Sequence, residues 1–304
     1  MAVHKSLTPA PGREARHATM TAVPAALEST LDTSALPARP LTVGELLDAA
    51  LLLLRTHAAV LLPVAAALAL LEQAALAPIR SWAFFDFATP WPSAHRLGEF
   101  WLLLCAGAGF EAAIVALLAA PASRAAGALL VGRRLPHRAL LDPRGVRVAA
   151  TVPLAAVAGV VVGVGSLAGP LWAVVFPLVA LAVPALVIDR VNPFRALLRG
   201  AGLAGRSGAR AGWILLLGYL TWWVVRLLVG TGGGYALAEL VPVDAGTEAV
   251  LAAGLRAAAN TLAYAALACL AAAVHLETRM RTEGLDIQLS RRTVRDQDHL
   301  AVRA

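Results

Sequence analysis

The stretch "TVGELLDAALLLLRTHAAVLLPVAAALALLEQAALA", residues 42–77, decides the fold. Its first part mixes charged and apolar residues, and from Ala58 to Ala77 it is apolar apart from Glu72 and Gln73. A helix of about 20 apolar residues is long enough to cross a hydrocarbon core of about 30 Å. The stretch therefore predicts a membrane span at 58–77, preceded by an amphipathic lead-in helix.

The rest of the chain repeats this apolar pattern. Hydrophobic residues make up 59% of the 304, and the mean hydropathy is +0.71. An ordinary soluble domain is closer to about 45–50% apolar. We therefore predict an all-α, polytopic bundle of six transmembrane helices. The other five predicted spans are 101–120, 149–168, 171–188, 212–230 and 249–274.

The distribution of lysine and arginine predicts the orientation. The tails and connections on one side of the predicted spans hold 22 of these residues, and those on the other side hold 2. Basic residues accumulate on the cytoplasmic side of bacterial membrane proteins. We expect an inner-membrane protein with both termini in the cytoplasm, tails at 1–40 and 290–304, and a membrane domain at 41–289. The net charge of +7 is then a topology signal rather than a nucleic-acid footprint, and contact with anionic lipid headgroups is a secondary role for it.

Three cytoplasmic segments, 42–57, 122–148 and 189–211, precede the odd-numbered spans. Each mixes apolar and charged residues, as expected for helices that lie in the membrane interface. In the first, the acids lie near the helix start and the arginine near its end, which suits the helix dipole. This favours a lead-in helix over a reactive cluster with His57, and leaves a docking surface for a partner as the alternative. The residues concerned are Glu45, Asp48 and Arg55.

Four ionisable residues fall inside the predicted spans. An unpaired charge at bilayer depth costs at least about 2.5–3.5 kcal/mol, so we expect the four to face the bundle interior and to pair. The predicted cluster ties the first, second, fifth and sixth spans together. It is either an ion-pair cluster that fixes helix packing or a polar site open to the outside. Its candidate members are Glu72, Glu111, Arg226, Arg256 and Asn260.

Other motifs give little support for catalysis or for a cofactor. The seven histidines are scattered along the chain. The sequence contains neither a His-Glu-x-x-His nor a Cys-x-x-Cys motif, so we predict no metal site. The segment "GTGGGY" at 230–235 lacks the lysine of a phosphate-binding loop and predicts a flexible turn. Cys105 and Cys269 are expected to be free, buried thiols. Prolines in the third and fourth spans favour either broken helices or close packing of small residues.

Three stretches carry a resemblance to a known group: 40–62, 183–220 and 261–289. The chain resembles uncharacterised bacterial, especially actinobacterial, six-span proteins, which are similar to the membrane domain of some glycerophosphodiester phosphodiesterases. The resemblance implies a membrane domain without the phosphodiesterase barrel, and hence transfers no catalytic residue. The matching positions are Gly44, Glu45, Asp48, Arg190, Pro193, Glu283, Gly284 and Asp286.

The sequence thus favours a non-enzymatic scaffold or helper of a membrane complex, with the bilayer and other membrane proteins as partners. The alternative is a transporter or lipid-handling protein that uses the intramembrane charges. A closed and paired charge cluster would favour the first hypothesis. A cavity that reaches the charges would favour the second.

Overall fold

A computed structural model describes residues 39–83, 94–133, 135–240 and 244–291. The predicted tails therefore lie almost entirely outside the described residues, as do Phe84, Phe85 and Trp91 of the connection between the first two spans. Every regular element in the described ranges is helical. The helices are α1 (Val43–Trp82), α2 (Leu97–Leu130), α3 (His137–Leu140), α4 (Val148–Leu167), α5 (Trp172–Ala180), α6 (Ala182–Ile188), α7 (Pro193–Arg206), α8 (Arg210–Leu227), α9 (Gly233–Leu240), α10 (Ala245–Glu283) and α11 (Leu285–Arg291).

Six helical segments of the described chain are long and apolar enough to cross a membrane, which confirms the predicted fold class. They are α1, α2, α4, the combined α5–α6, α8 and α10. Leu41, just before α1, contacts Arg281, near the end of α10. We call this end of the bundle the terminal end.

The lead-in segment is not a separate interfacial helix. Residues 43–57 are the first part of the 40-residue α1, which bends at His57, where φ is −118° and ψ is 19°. The helix begins with a capping box, in which Thr42 and Glu45 each bond the other's backbone N–H. The buried side of this segment consists of Leu46, Ala49, Ala50, Leu53 and Leu54.

Two further boundary predictions are wrong. Residues 122–130, expected in an interfacial segment, continue α2 and are all buried, because alanine and glycine let the neighbouring helices close around them. The predicted flexible turn at 230–235 is helical, with a π-helical turn at Leu228–Gly232 that leads into α9. Two of its glycines pack closely on α10: a Cβ would lie 3.1 Å from the Arg256 Cγ atom at Gly230 and 2.5 Å from the Leu255 Cδ2 atom at Gly233.

The bundle is assembled around α10. Residues 263–278 of this helix are all buried, and α10 contacts α1, α2 and α8. Alanines dominate this stretch, and small side chains allow close approach between helices in a membrane. Small residues also allow α2 and α4 to pack closely. A Cβ on Gly159 of α4 would lie 2.7 Å from the carbonyl oxygen of Gly109 of α2.

The fourth span is broken at Leu181, between α5 and α6. The amphipathic α7 covers this break through Gly200, where an added Cβ would lie 2.8 Å from the Ala182 nitrogen. On its other side α7 exposes Phe194 and Leu198. This arrangement fits an interfacial helix that packs on the broken span and presents an apolar edge outward.

Candidate functional site

Three of the four predicted intramembrane charges, Glu72, Glu111 and Arg226, come together inside the bundle. Nη1 of Arg226, on α8, lies 2.8 Å from Oε1 of Glu111, on α2. The hydroxyl of Tyr219 donates to the other oxygen of Glu111 at 3.0 Å. Trp172 and Phe176 pack around the Tyr219 ring, with ring centroids 4.6 and 5.3 Å away. The fifth span therefore reaches Glu111 with both a charge and a hydroxyl, and the fourth span supports that hydroxyl.

Glu72 forms the second half of the cluster. The Tyr264 hydroxyl lies 2.8 and 2.9 Å from its two oxygens, and Asn260 Nδ2 donates at 2.9 Å. Gln73 approaches the same carboxylate at 3.4 Å, and Arg80 donates to the Gln73 oxygen at 2.7 Å. The first and sixth spans are thus joined through a carboxylate whose two oxygens both have donors.

Arg226 connects the two halves. Its guanidinium carbon lies 5.2 Å from the ring centroid of Tyr219 and 5.7 Å from that of Tyr264. A cation over an aromatic face within about 6 Å is attracted by the ring quadrupole, and more strongly where water is excluded. The intramembrane cluster therefore consists of Glu72, Glu111, Tyr219, Arg226, Asn260 and Tyr264, and it links α1, α2, α8 and α10.

Four of these six residues are predicted from the sequence, and the two tyrosines are not. Helical spacing was the available signal, since Tyr264 follows Asn260 by four residues and Tyr219 precedes Arg226 by seven. Arg256 is the remaining predicted member. It lies against Gly230 of the π-helical turn, and its charge is close enough to that of Arg80 for repulsion.

The carboxylates and the tyrosines of the cluster are buried, and Arg226 and Asn260 are partly exposed. Glu72 is 4% exposed and Glu111 is 6% exposed, and the hydroxyl-bearing rings of Tyr219 and Tyr264 are buried. Burying a carboxylate is costly unless donors or an opposite charge compensate for its lost hydration. Here the two carboxylates lie on α1 and α2 and their main donors on α8 and α10, so the cluster holds these four helices in one register.

The three charged residues of the lead-in segment do not form a cluster. Glu45 caps α1 and pairs with Arg39 at 2.5 Å. Asp48 and Arg55 are exposed on α1, while His57 is buried with its Nδ1 atom 3.2 Å from the Leu53 carbonyl oxygen. The geometry therefore supports a helix start for Glu45 and does not assemble a reactive set with His57.

A second charged network at the terminal end was not foreseen. Asp189 contacts Arg199 through Oδ2 and Arg279 through Oδ1, the latter at 2.8 Å. Glu283 bonds the same two arginines at 2.8 and 3.0 Å. His275 Nε2 lies 3.5 Å from Asp189 Oδ1. We call these five residues the terminal network.

The terminal network joins the connection after α6 to α7 and α10. Burial alone would raise the pKa of Asp189, but the hydrogen bond and charge of His275 and the charges of Arg279 and Arg199 outweigh it and lower that pKa to about 2. Asp189 and Glu283 lie 94 residues apart in sequence, and each looks like an ordinary loop or tail acid. Only the fold brings them onto the same two arginines.

A smaller set ties the start of α1 to α10. Arg210 and Arg281 both donate to the carbonyl oxygen of Leu41, at 3.0 and 2.8 Å, and both approach the buried Glu277 carboxylate. The first and last spans are therefore fastened at the terminal end as well as in the middle of the bundle.

The described part of the chain contains no group of three or more His, Cys, Asp or Glu side chains that could hold a metal ion. Cys105 and Cys269 are both buried and free. Comparison of the chain with protein-family models, curated proteins and solved structures finds no match in any of the three. The resemblance to the six-span group stays a prediction.

Proposed function

We propose that this protein is a non-enzymatic scaffold or helper of a membrane complex. We place it in the bacterial inner membrane, with both termini in the cytoplasm, where the bilayer and other membrane proteins are its partners. The burial of the two carboxylates of the intramembrane cluster carries the proposal. Charges that serve transport need a route for a ligand or proton, whereas Glu72 and Glu111 are buried and occupied by donors from neighbouring helices.

Two further observations support this function over the transporter alternative. The break in the fourth span, which in transporters can line a binding site, is here covered by α7 at Gly200. The network at the terminal end fastens α10 to its neighbours a second time. The intramembrane cluster and the terminal network both fix the helices relative to one another. A rigid bundle of this kind suits a protein that presents a fixed surface to a partner.

The test is extraction from the native membrane in mild detergent, with cross-linking before solubilisation and quantitative mass spectrometry of what co-purifies. A scaffold is expected to yield a reproducible membrane-protein partner in fixed stoichiometry. The double variant E111Q/R226M removes both charges of the pair and should retain that partner. Purification of the wild-type protein alone would contradict the proposal.

The same double variant tests the alternative in sealed proteoliposomes. We expect no proton or ion flux with the wild-type protein and no difference on substitution. A flux that the wild-type protein supports and E111Q/R226M abolishes would overturn the scaffold function in favour of transport.

A further inference from the structure

A pocket of about 300 Å³ at the terminal end is lined by Arg144, Gly145, Arg147 and Arg190. Arg144 and Arg147 come from the turn before α4, and Arg190 follows α6. The volume is at the lower end of the range of about 300–1,000 Å³ that is usual for ligand sites. Three arginines from two connections thus surround one concave surface.

Two of these arginines adopt backbone conformations that ordinary residues avoid. The φ angles of Arg147 and Arg190 are 53° and 54°, in the left-handed region. Such conformations in residues other than glycine cost about 1–3 kcal/mol and persist only where the surroundings hold them. Arg147 is held by its Nη1 atom, which donates to the carbonyl oxygens of Leu186 and Val191 at 2.8 and 2.6 Å.

A fourth arginine lies under the pocket floor. Arg124 of α2 is 0% exposed, and none of its three guanidinium nitrogens has a hydrogen-bond partner among the described residues. Residue 145 has to be a glycine here, because a Cβ would overlap the Arg124 guanidinium. Arg190 is close enough to repel it. A fully buried, unbonded guanidinium is rare, because its lost hydration is uncompensated.

The local charges are unbalanced. Asp142 is the acid nearest to Arg124, at 3.8 Å, and its Oδ2 atom already accepts the Gly145 backbone N–H at 2.7 Å. Among the described residues, Asp142 is the one acid within ion-pair distance of any of these four guanidiniums. The pocket also adjoins the N-terminus of α4, a 20-residue helix that begins after Arg147 without a side-chain cap. A helix N-terminus adds partial positive charge to such a site.

We propose that Arg144, Arg147 and Arg190 bind a phosphate-bearing anion in this pocket, and that Arg124 adds its charge from beneath. Guanidinium groups match the paired oxygens of phosphate, and basic pockets at the ends of membrane helices hold anionic headgroups. Leu141 and Val148, which flank the loop, are exposed apolar side chains suited to acyl chains. A lipid headgroup is therefore the first source of the phosphate, and free phosphate is the second. The site does not depend on the scaffold function.

The test compares wild-type protein with R144Q/R190Q in nanodiscs of equal parts phosphatidylglycerol and phosphatidylcholine. Native mass spectrometry after release counts the retained lipids. Calorimetric titration with inorganic phosphate in zwitterionic detergent forms the second arm. We expect the wild-type protein to enrich phosphatidylglycerol and the variant to lose at least about tenfold in affinity. Binding of inorganic phosphate as well would assign the site to free phosphate in addition to the headgroup.

The matched control is R195Q/R206Q, which removes two exposed arginines of α7 and changes the net charge equally. It should change phosphatidylglycerol retention by less than about twofold. If both double variants lose phosphatidylglycerol retention equally, the retention depends on general surface charge, and the proposal is overturned. Failure of the wild-type protein both to enrich phosphatidylglycerol and to bind phosphate would overturn it as well.

A second variant, R124M, separates binding from folding. Replacing an unbonded buried charge with an apolar side chain should raise the unfolding temperature of the lipid-free protein. The same substitution should weaken phosphatidylglycerol retention several-fold. If R124M lowers the unfolding temperature and leaves retention unchanged, Arg124 is a structural residue and has no part in the site.

Discussion

The intramembrane cluster and the terminal network contain similar residues but are connected differently. In the cluster, Glu111 has one arginine and Glu72 has hydroxyl and amide donors, and aromatic rings fill the space around Arg226. In the network, Asp189 and Glu283 share two arginines, so each charge has more than one opposite partner.

The difference follows from depth in the bundle. Far from water, each additional charge carries a large desolvation cost, and neutral donors such as Tyr264 satisfy a carboxylate without adding another. Near the membrane interface the desolvation cost of a charge is lower, so several acids and arginines can form one ion-pair network. The loss of the ion-pair acid should therefore cost more stability in the cluster than the loss of one acid costs in the network. The four predictions below test this contrast, in order of decreasing effect.

The largest effect is expected for E111Q. The substitution leaves Arg226 buried without its carboxylate, and breaking a buried pair costs about 3–5 kcal/mol. The measurement is the free energy of unfolding in mild detergent, followed by tryptophan fluorescence. E99Q, which changes another α2 glutamate outside the cluster, is the control and should cost less than about 0.5 kcal/mol. Equal losses in the two variants would contradict a structural ion pair.

The next effect is expected for Y264F, which removes the hydroxyl that lies within reach of both Glu72 oxygens. Losing a hydrogen bond to a buried charge should cost about 1.5–3 kcal/mol. Y219F is the matched variant and should cost less, because Glu111 keeps Arg226. The comparison is made by thermal unfolding of both variants in one detergent. A larger loss for Y219F would reverse the roles that we assign to the two tyrosines.

A pH-dependent effect is expected for D189N. Because the pKa of Asp189 is lowered from 3.8 to about 2, its ionised form stabilises the fold by about 2 kcal/mol above pH 4. That contribution is lost as pH falls from about 4 through 2. The stability difference between wild type and D189N should thus shrink as pH falls below about 4. A difference that stays constant or grows between pH 4 and 2 would show that the contacts of Asp189 with Arg199, His275 and Arg279 do not stabilise its ionised form.

The smallest effect is expected for E283Q. Arg199 and Arg279 both keep Asp189, and the Glu283 side chain is partly exposed, so the loss should be about 1 kcal/mol or less. The double variant D189N/E283Q should lose more than the two single variants together, because it leaves two arginines without acids. Strict additivity in this cycle would mean that the network is a set of independent pairs.

Particular residues show how much of the fold and of the intramembrane cluster can be predicted from the sequence. The six spans and the meeting of Glu111 with Arg226 follow from apolar length and from the cost of unpaired charge. The tyrosines were missed because a hydroxyl in an apolar span gives no charge signal. The sequence predicts an interfacial segment at 122–148, which contains Arg124, since local composition cannot show that α2 continues to Leu130 and that the turn at Asp142 and Gly145 covers this arginine.

By itself, the sequence determined that the chain is a six-span helical bundle, because apolar length and helix-forming composition are local properties. It also predicted that the charges within the spans would face the bundle interior, because an isolated charge in an apolar span is costly anywhere in the bundle. Only the tertiary structure decided which donors satisfy Glu72, that Asp189 and Glu283 share their arginines, and that four arginines converge around Gly145. Those choices depend on contacts between residues far apart in the chain, and helix packing, rather than any local pattern, sets such contacts.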